Sequence, residues 1–217
     1  MVFKMIKGYR KEPPCSEIRT IGVAGCGRGV GTTHLAISLA NYLTGTKRKK
    51  TALLEWNSHD DFSALEQFAG FRSMISGKRR TDLDQEQAEQ KRFCIMEVDY
   101  YKMADPVVLS FCLGQKYRYI IMDYGEVNKN SLCECARCDR KILVGSLCEW
   151  KADAFLEVLE QAESRDKSWR IAVASGAEET RKQTESLFRC RLQRIPASTD
   201  AFCITREEMS CYETLLF

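Results

Sequence analysis

The chain has 217 residues, of which 44% are hydrophobic, and this size and composition predict a single globular domain with a sizeable core. Its 33 basic and 30 acidic residues give a net charge of +3, so the overall charge gives no reason to expect binding to nucleic acid or to a membrane surface. The odd number of cysteines, 11, and an N-terminus without a continuous apolar segment indicate a reduced, cytoplasmic protein. No stretch approaches the roughly 18 consecutive apolar residues that would cross a bilayer.

Short apolar runs alternate with amphipathic stretches along the chain. The first predicted strand covers residues 18–24, and apolar residues recur at helical spacing between Leu35 and Leu43. Further strands are predicted at 51–56, 93–98, 117–124, 141–146, 169–175 and 191–196. Helical patterns cover 61–69, 103–113, 152–164 and 178–188. Strands that alternate with helices predict a doubly wound α/β domain, with a mainly parallel sheet covered by helices on both faces.

Two segments lie outside this alternation. Residues 1–16 are interpreted as an N-terminal extension of the single domain, which spans residues 1–217. Residues 72–92 are highly polar with mixed charge, which is typical of an exposed connector or a solvated helix. No function is predicted for either segment.

A glycine-rich run, GCGRGVGTT (25–33), separates the first strand from the first helix. A standard phosphate-binding loop, G-x-x-x-x-G-K-[ST], combines backbone N–H groups with a lysine for the phosphates and a hydroxyl for magnesium. Aligning Gly31 with the second glycine puts Cys26 at the first glycine, Thr32 at the lysine and Thr33 at the magnesium ligand. The dinucleotide pattern G-x-G-x-x-G does not fit either. The free amides and the dipole of the helix N-terminus nevertheless favour an anion here.

The wider sequence places this loop in a recognisable series of segments. GRGVGTTHLAISLANYL, KKTALLEWN, YRYIIMDYGEVN, KILVGS and RIPASTDAF resemble, in order and spacing, the MinD/ParA family of deviant-Walker-A ATPases, over about residues 17–205. The lysine-less GVGTT is most similar to the pilus-assembly and localisation proteins called TadZ or CpaE. The resemblance implies a seven- or eight-stranded sheet, ATP and magnesium as ligands, and a nucleotide-linked homodimer. It further implies a spatial regulator that recruits pilus or secretion proteins to one site, such as a pole, in a bacterial cell.

Within the loop, the resemblance implies which residues meet the nucleotide. The implied nucleotide-binding residues are Cys26, Gly27, Arg28, Gly29, Val30, Gly31, Thr32 and Thr33, with Thr33 as a magnesium ligand. Gly27 stands where the family has the signature lysine that reaches the partner's phosphates, so that contact is lost. Arg28 could replace it across the dimer, and a solvated arginine on a loop tip is the alternative.

The second strand ends in LLEWN, where the family usually has two aspartates separated by one residue. Glu55 keeps the first acid and is a possible metal ligand, whereas Asn57 replaces the second, which helps to orient the attacking water. An amide can hold a water molecule but cannot accept its proton. The sequence therefore predicts weak or absent hydrolysis, and Asn57 and Arg28 are only weak catalytic candidates.

Two later segments complete the implied site. Asp123 ends the apolar run YRYIIMD, where a Walker B carboxylate holds magnesium, so Thr33 and Asp123 are the predicted magnesium pair. In RIPASTDAF, Pro196 and Asp200 correspond to residues that flank the base in relatives. The base specificity stays open.

Three cysteines lie close together in SLCECARCDRK, namely Cys133, Cys135 and Cys138. Their C-x-C-x-x-C spacing could belong to an iron-sulfur or zinc site, but zinc usually shows two paired C-x-x-C motifs. Small buried thiols are the favoured interpretation, and metal or cluster binding is not expected.

Three functions remain open at this point. A nucleotide-gated regulatory dimer is favoured, because the Gly31, Thr33 and Asp123 chemistry is retained while the catalytic groups are changed. The alternatives are a slow ATPase or an iron-sulfur ATP-dependent reductase, and a scaffold that has lost nucleotide. The acidic C-terminal segment ITREEMSCYETLLF does not fit a basic membrane-binding helix, so direct membrane insertion is not expected. DNA binding is disfavoured by the weak net charge.

Overall fold

A computed structural model describes residues 19–75, 87–163 and 168–217. Eight strands form one sheet in the order β3-β4-β2-β5-β1-β6-β7-β8. The strands are β1 (Arg19–Gly25), β2 (Thr51–Glu55), β3 (Arg92–Ile95), β4 (Val98–Tyr101), β5 (Tyr119–Glu126), β6 (Arg140–Gly145), β7 (Trp169–Val173) and β8 (Leu192–Arg194). All neighbouring strands are parallel except β3 and β4, which are antiparallel. The predicted doubly wound, mainly parallel α/β sheet is thus confirmed, with eight strands.

The helices connect these strands across both faces of the sheet. They are α1 (Thr32–Asn41), α2 (Asp61–Ile75), α3 (Gln87–Gln90), α4 (Pro106–Gly114), α5 (Lys129–Cys135), α6 (Ala152–Glu163), α7 (Glu178–Phe188) and α8 (Arg206–Leu216). A π-helical turn, Tyr42–Thr46, continues α1. No helix within the described ranges combines the length and apolar character needed to cross a bilayer.

Alternate residues of the central strands supply the two faces of the core. Ile21 and Val23 of β1 pack in one cluster with buried residues of α1 and α8, such as Leu39 and Tyr212. The neighbouring Ala24 faces the other side, where residues of β2, β5, α4 and α5 are buried. A third cluster on that side contains residues of α6 and α7. This period of two is what a parallel strand buried on both faces requires.

The strand order reverses direction at β1, which lies between β5 and β6. The chain runs from β1 outward to β2, β3 and β4, returns to β5 beside β1, and then continues on the far side with β6, β7 and β8. In open α/β sheets such a switch point forms a crevice at the carboxyl ends of the strands. The glycine-rich loop follows β1 directly at this place.

One predicted strand was wrong, because residues 93–98 form a hairpin. β3 ends at Ile95, which pairs with Val98 of β4, and the two residues between them have positive φ values, 49° for Met96 and 65° for Glu97. Positive φ at both central residues is the signature of a type I′ turn. Because Asn-Gly or Asp-Gly usually marks this turn, Met-Glu gave no turn signal and the hairpin appeared as one apolar run.

Several element boundaries also differ from the predicted ones. The second helix extends from the predicted 61–69 to Ile75, so the polar segment 72–92 begins inside α2 and also contains α3 and Arg92 of β3. Residues 76–86 of that segment, and the extension at 1–16, lie outside the described residues. The helix predicted at 103–113 begins at Pro106, because the Asp105 side chain caps it by accepting from the Val107 and Val108 amides.

Two helices were not predicted from the sequence, α5 and α8. Each begins with a capping box, built by Asn128 and Ser131 in α5 and by Thr205 and Glu208 in α8. In α8 the ring of Tyr212 meets that of Tyr42 edge to face at 5.9 Å. The acidic C-terminal segment is therefore a helix that helps to cover the α1 face of the core.

Candidate functional site

A backbone hydrogen bond ties the loop of residues 26–31 to the carboxyl edge of the sheet. The Cys26 amide donates to the Val144 carbonyl oxygen at 2.8 Å, which holds the loop to β6. Gly29 and Gly31 have φ values of 69° and 92°, in the left-handed region that glycine adopts without strain. These two glycines allow the chain to turn from β1 into α1.

The N-terminus of α1 is open toward the loop. Gly31 is its N-cap and no side chain caps this end. The Leu35 amide makes the first bond of the helix, to the Gly31 carbonyl oxygen at 2.9 Å. The amides of the first turn therefore lack helical partners, and together with the helix dipole they suit an anion.

Thr32, at the position of the missing lysine, turns its side chain inward. It is 7% exposed, and a Cβ atom added to Gly25 would lie 2.1 Å from its Oγ1. The threonine hydroxyl therefore packs over the end of β1, in space that exists because residue 25 is glycine. The buried Thr32 side chain therefore leaves the backbone amide as the group of this residue that is available to an anion at the helix N-terminus.

Asp123 presents a buried carboxylate beside the start of α1. It is fully buried in β5, opposite Val23 of β1 and Glu55 of β2. Its Oδ1 accepts from the Gly125 amide at 3.0 Å, whereas Oδ2 is buried with no hydrogen-bond partner among the described residues. Burial raises the pKa of Asp123 to about 6, and the Gly125 amide opposes that rise, as does the Thr33 hydroxyl, which lies beside the carboxylate without forming a well-directed hydrogen bond to it.

An unpartnered buried carboxylate oxygen is unfavourable unless another group completes it. A magnesium ion would do so, because it is usually held by one or two protein ligands together with phosphate oxygens and water. Thr33 and Asp123 supply one hydroxyl and one carboxylate at the same place, so the donor set fits this ion. The described residues contain no group of three or more His, Cys, Asp or Glu side chains that could hold a metal by themselves.

Glu55, the other possible metal ligand, is already engaged by backbone amides. It is fully buried, and its Oε1 and Oε2 accept from the Phe62 and Met103 amides, each at 3.0 Å. The carboxylate thus fixes the first turn of α2 and the turn after β4. These contacts indicate a structural role, and magnesium binding by Glu55 stays an untested prediction.

The Asn57 amide is engaged at both of its ends. Its Nδ2 donates to the Asp123 carbonyl oxygen at 3.0 Å, and its Oδ1 accepts from the His59 amide at 2.9 Å. The side chain thus ties the segment after β2 to the end of β5. A water molecule would have to compete with these two bonds, so the structure gives no support to Asn57 as a water-holding group.

Two basic side chains lie at the loop, and they differ in how they are held. Arg28 is exposed at the tip. Lys151, in the turn between β6 and α6, donates from Nζ to the Gly29 carbonyl oxygen at 2.9 Å. Sequence reasoning missed Lys151, because it lies 122 residues from Gly29 and belongs to no motif.

Pro196 and Asp200 lie in the segment after β8. Pro196 is partly buried, and Asp200 is exposed with Oδ1 accepting from the Phe202 amide at 2.9 Å. The segment is held against α1, because Asn41 donates from Nδ2 to the Ala201 carbonyl oxygen at 3.3 Å. None of the described hydrogen bonds joins Pro196 or Asp200 to the loop.

The three clustered cysteines do not converge on one point. Cys133 is exposed, whereas Cys135 and Cys138 are buried. The two buried thiols pack behind β1, where a Cβ atom added to Gly22 would lie 2.5 Å from the Cys135 sulfur and 3.1 Å from the Cys138 sulfur. Their position agrees with thiols that fill the core.

Solved structures of other proteins share this fold. No protein-family model matches the sequence, and no curated protein matches it. A Borrelia burgdorferi B31 protein described as a plasmid partition protein, bound to AMPPNP, superposes with a TM-score of 0.62 at 16% identity, covering 92% of this chain and 97% of its own. A ParA family ATPase from Chlorobium tepidum TLS gives 0.59 at 16% identity, with coverages of 93% and 91%. The Aquifex aeolicus MinC:MinD cell division complex gives 0.54 at 16% identity, with coverages of 83% and 82%.

These likenesses establish the fold of ParA and MinD ATPases over most of the chain. At 16% identity they do not extend to activity or partners. The sheet order, the loop after β1 and the buried carboxylate at the end of β5 are the features of this chain that a functional argument can use.

Proposed function

We propose that the chain is a degenerate member of the MinD/ParA family that binds ATP with magnesium at the loop of residues 26–33. The observation that carries the proposal is Oδ2 of Asp123, which is buried without a partner beside Thr33 at the open N-terminus of α1. Asp123 and Thr33 would hold a magnesium ion here, and its positive charge would favour the nucleotide phosphates.

The backbone supplies most of the phosphate contacts in this proposal. The first-turn amides of α1 and the helix dipole attract the phosphates, because no side chain caps the helix. Thr33 and Asp123 would hold the magnesium ion. Pro196 and Asp200 would lie near the base, as the family resemblance implies.

Hydrolysis is proposed to be weak or absent. The attacking water needs a positioned acceptor, and the Asn57 amide is occupied by Asp123 and His59. The Thr32 side chain packs over Gly25 and carries no charge, so the position of the family's lysine supplies no cation for the γ-phosphate. Nucleotide would then regulate the protein by binding to it, without the energy of hydrolysis being used.

The proposed working form is a homodimer that meets through the loop face. Arg28 and Gly29 are exposed there, and Trp150 is 79% exposed in the turn after β6 at the same edge of the sheet. A second copy would cover these groups and bring Arg28 toward the partner's phosphates. MinD in the Aquifex complex associates with MinC, and a protein partner is proposed for this chain too.

The partner is proposed to belong to a pilus or secretion assembly, which the dimer would position at one site in a bacterial cytoplasm. The support is the lysine-less GVGTT loop and its similarity to the TadZ and CpaE proteins. DNA and direct membrane insertion are not part of the proposal.

Equilibrium titration of the purified chain with ATP tests the proposal directly. We expect saturable binding with magnesium and much weaker binding when magnesium is chelated. Absence of binding at millimolar ATP would overturn it, and would leave a nucleotide-free scaffold as the function of this fold.

A further inference from the structure

The turn between β6 and α6 delivers an ammonium group to the glycine-rich loop. Lys151 donates from Nζ to the Gly29 carbonyl oxygen at 2.9 Å, and Nζ lies 3.5 Å from the position that a Cβ atom on Gly29 would take. Its side chain is partly exposed, so solvent or a ligand can reach it. An ammonium has three N–H donors, and the described contacts use one of them.

The backbone of Lys151 is held by its own turn. The amides of Lys151 and Ala152 both donate to the Cys148 carbonyl oxygen at 2.9 Å, and the Lys151 carbonyl accepts from the Phe155 amide at 3.4 Å as α6 begins. The turn is also braced by the Cys148 amide, which donates to the Ser146 hydroxyl at 3.2 Å. The ammonium is therefore presented from a fixed base, whereas Arg28 stands exposed on the loop tip.

We propose that Lys151 supplies, from this turn, the cation that the loop lacks at Thr32, and that it contacts the β- or γ-phosphate of a bound nucleoside triphosphate. This inference rests on the proposed nucleotide-binding function. Phosphate oxygens are stronger acceptors for an ammonium than a neutral carbonyl, because the hydrogen bond is assisted by both charges. A lysine binds phosphate as a point charge, so its chain can reach the site from another element of the fold.

The contact between Lys151 and Gly29 is compatible with two roles for the lysine. As a structural staple, Lys151 would only hold Gly29. As a phosphate ligand, it would act through its charge, and its effect would grow with the number of phosphates on the nucleotide.

Four variants, Lys151→Met, Lys151→Gln, Lys151→Arg and Lys116→Met, and two nucleotides separate these roles by titration calorimetry with magnesium present. Lys151→Met removes both the charge and the donor, and Lys151→Gln removes the charge but keeps an N–H donor for the Gly29 carbonyl. Lys116→Met is the matched control, because Lys116 is exposed in the turn before β5, at the amino ends of the parallel strands and thus away from the loop. Each variant is titrated with ATP and with AMP, and the thermal unfolding of the free protein is recorded.

We expect Lys151→Met and Lys151→Gln to weaken ATP binding by roughly 10- to 100-fold and AMP binding by less than about 3-fold, as for a lost charge-assisted hydrogen bond. Lys151→Arg should recover part of the ATP affinity, and Lys116→Met should match the wild type. ATP affinity unchanged in Lys151→Gln, or an equal loss for AMP and ATP, would overturn the inference and leave a staple. If the wild type itself fails to bind ATP, the proposed function fails, and the inference fails with it.

Discussion

The Gly125 amide donates to Oδ1 of Asp123 at 3.0 Å, and the other carboxylate oxygen of Asp123 is buried without a hydrogen-bond partner among the described residues. In the free protein, one oxygen of this carboxylate near the carboxyl end of β5 therefore accepts a hydrogen bond and the other does not. The buried oxygen without a partner lowers the free energy of unfolding of the free protein, and a bound cation would raise it again.

The stability of the free protein should depend on the protonation of Asp123. Its pKa is raised to about 6 by burial, whereas a carboxyl in an unfolded chain titrates near pKa ~3.9. Because the folded form binds this proton more tightly than the unfolded chain does, protonation of Asp123 stabilises the fold. This stabilisation is complete below pH ~4 and is lost as the pH rises through about 6. Relative to Asp123→Asn, the wild type should lose on the order of 2–3 kcal/mol of unfolding free energy across this window.

Urea denaturation of both proteins between pH 4.5 and pH 8, without nucleotide, measures this difference. Asp123→Asn is the matched reference, since it keeps the shape of the side chain and shares every other titrating group. A difference between the two proteins that stays constant with pH would show that Asp123 titrates normally and is not the unsatisfied group.

Thr33→Ala should weaken magnesium-dependent ATP binding by about 10-fold or more, because it removes the hydroxyl that is proposed to bind magnesium together with Asp123. Thr33→Ser keeps the hydroxyl and should bind nearly as the wild type does. Thr32→Ala is the neighbouring control, since its side chain faces Gly25 and its backbone amide is unchanged. Titration calorimetry with magnesium and with a chelator compares all three. Equal magnesium dependence in Thr33→Ala and the wild type would remove Thr33 from the site.

Asn57→Asp restores the acid that the family usually has, but it should not produce an ATPase. The Nδ2 donor to the Asp123 carbonyl oxygen would be lost, and a carboxylate would face that oxygen instead. We expect a loss of about 1–3 kcal/mol in the free energy of unfolding, as for a carbonyl left without its donor.

Phosphate release and urea denaturation of the purified variant test both parts of this prediction. Asn130→Asp is the control, because Asn130 is exposed on α5 and the same charge change there should cost less than about 0.5 kcal/mol. A gain in phosphate release by Asn57→Asp without lost stability would show that residue 57 faces the nucleotide.

The sequence predicted the repeating part of this fold well. The parallel strands β1, β2, β5, β6 and β7 are apolar runs of the expected kind, β8 lies inside its predicted range, and α7 spans Glu178–Phe188 as its helical pattern predicted. The central strands are buried on both faces, so their apolar runs identify them directly in the sequence. The β3–β4 hairpin escaped because its turn residues, Met96 and Glu97, are not those that usually adopt positive φ.

The candidate site was predicted only as far as its local motifs extend. The loop follows β1 directly and Asp123 lies near the carboxyl end of β5, so the parallel topology brings them to the same edge of the sheet. Local sequence could not show that the Glu55 carboxylate accepts hydrogen bonds from two backbone amides or that both ends of the Asn57 side-chain amide are hydrogen-bonded. It also could not show that Lys151 donates to the Gly29 carbonyl oxygen. These contacts depend on how distant segments pack, and no spacing in the sequence records them.

The packing of the two buried cysteines against β1 gives a prediction that is independent of nucleotide. Gly22→Ala should destabilise the protein by about 1–3 kcal/mol, because its Cβ would lie 2.5 Å from the Cys135 sulfur in a filled core. Cys135→Ala removes that sulfur, so the double variant should be more stable than the sum of the two single effects, by at least about 1 kcal/mol. Urea denaturation of the wild type, both single variants and the double variant measures this coupling. Cys133→Ala is the control, since Cys133 is exposed and should show no coupling to Gly22. Additive effects of Gly22→Ala and Cys135→Ala would mean that the thiol does not press on the strand, and would reopen the question of what Cys135 contacts.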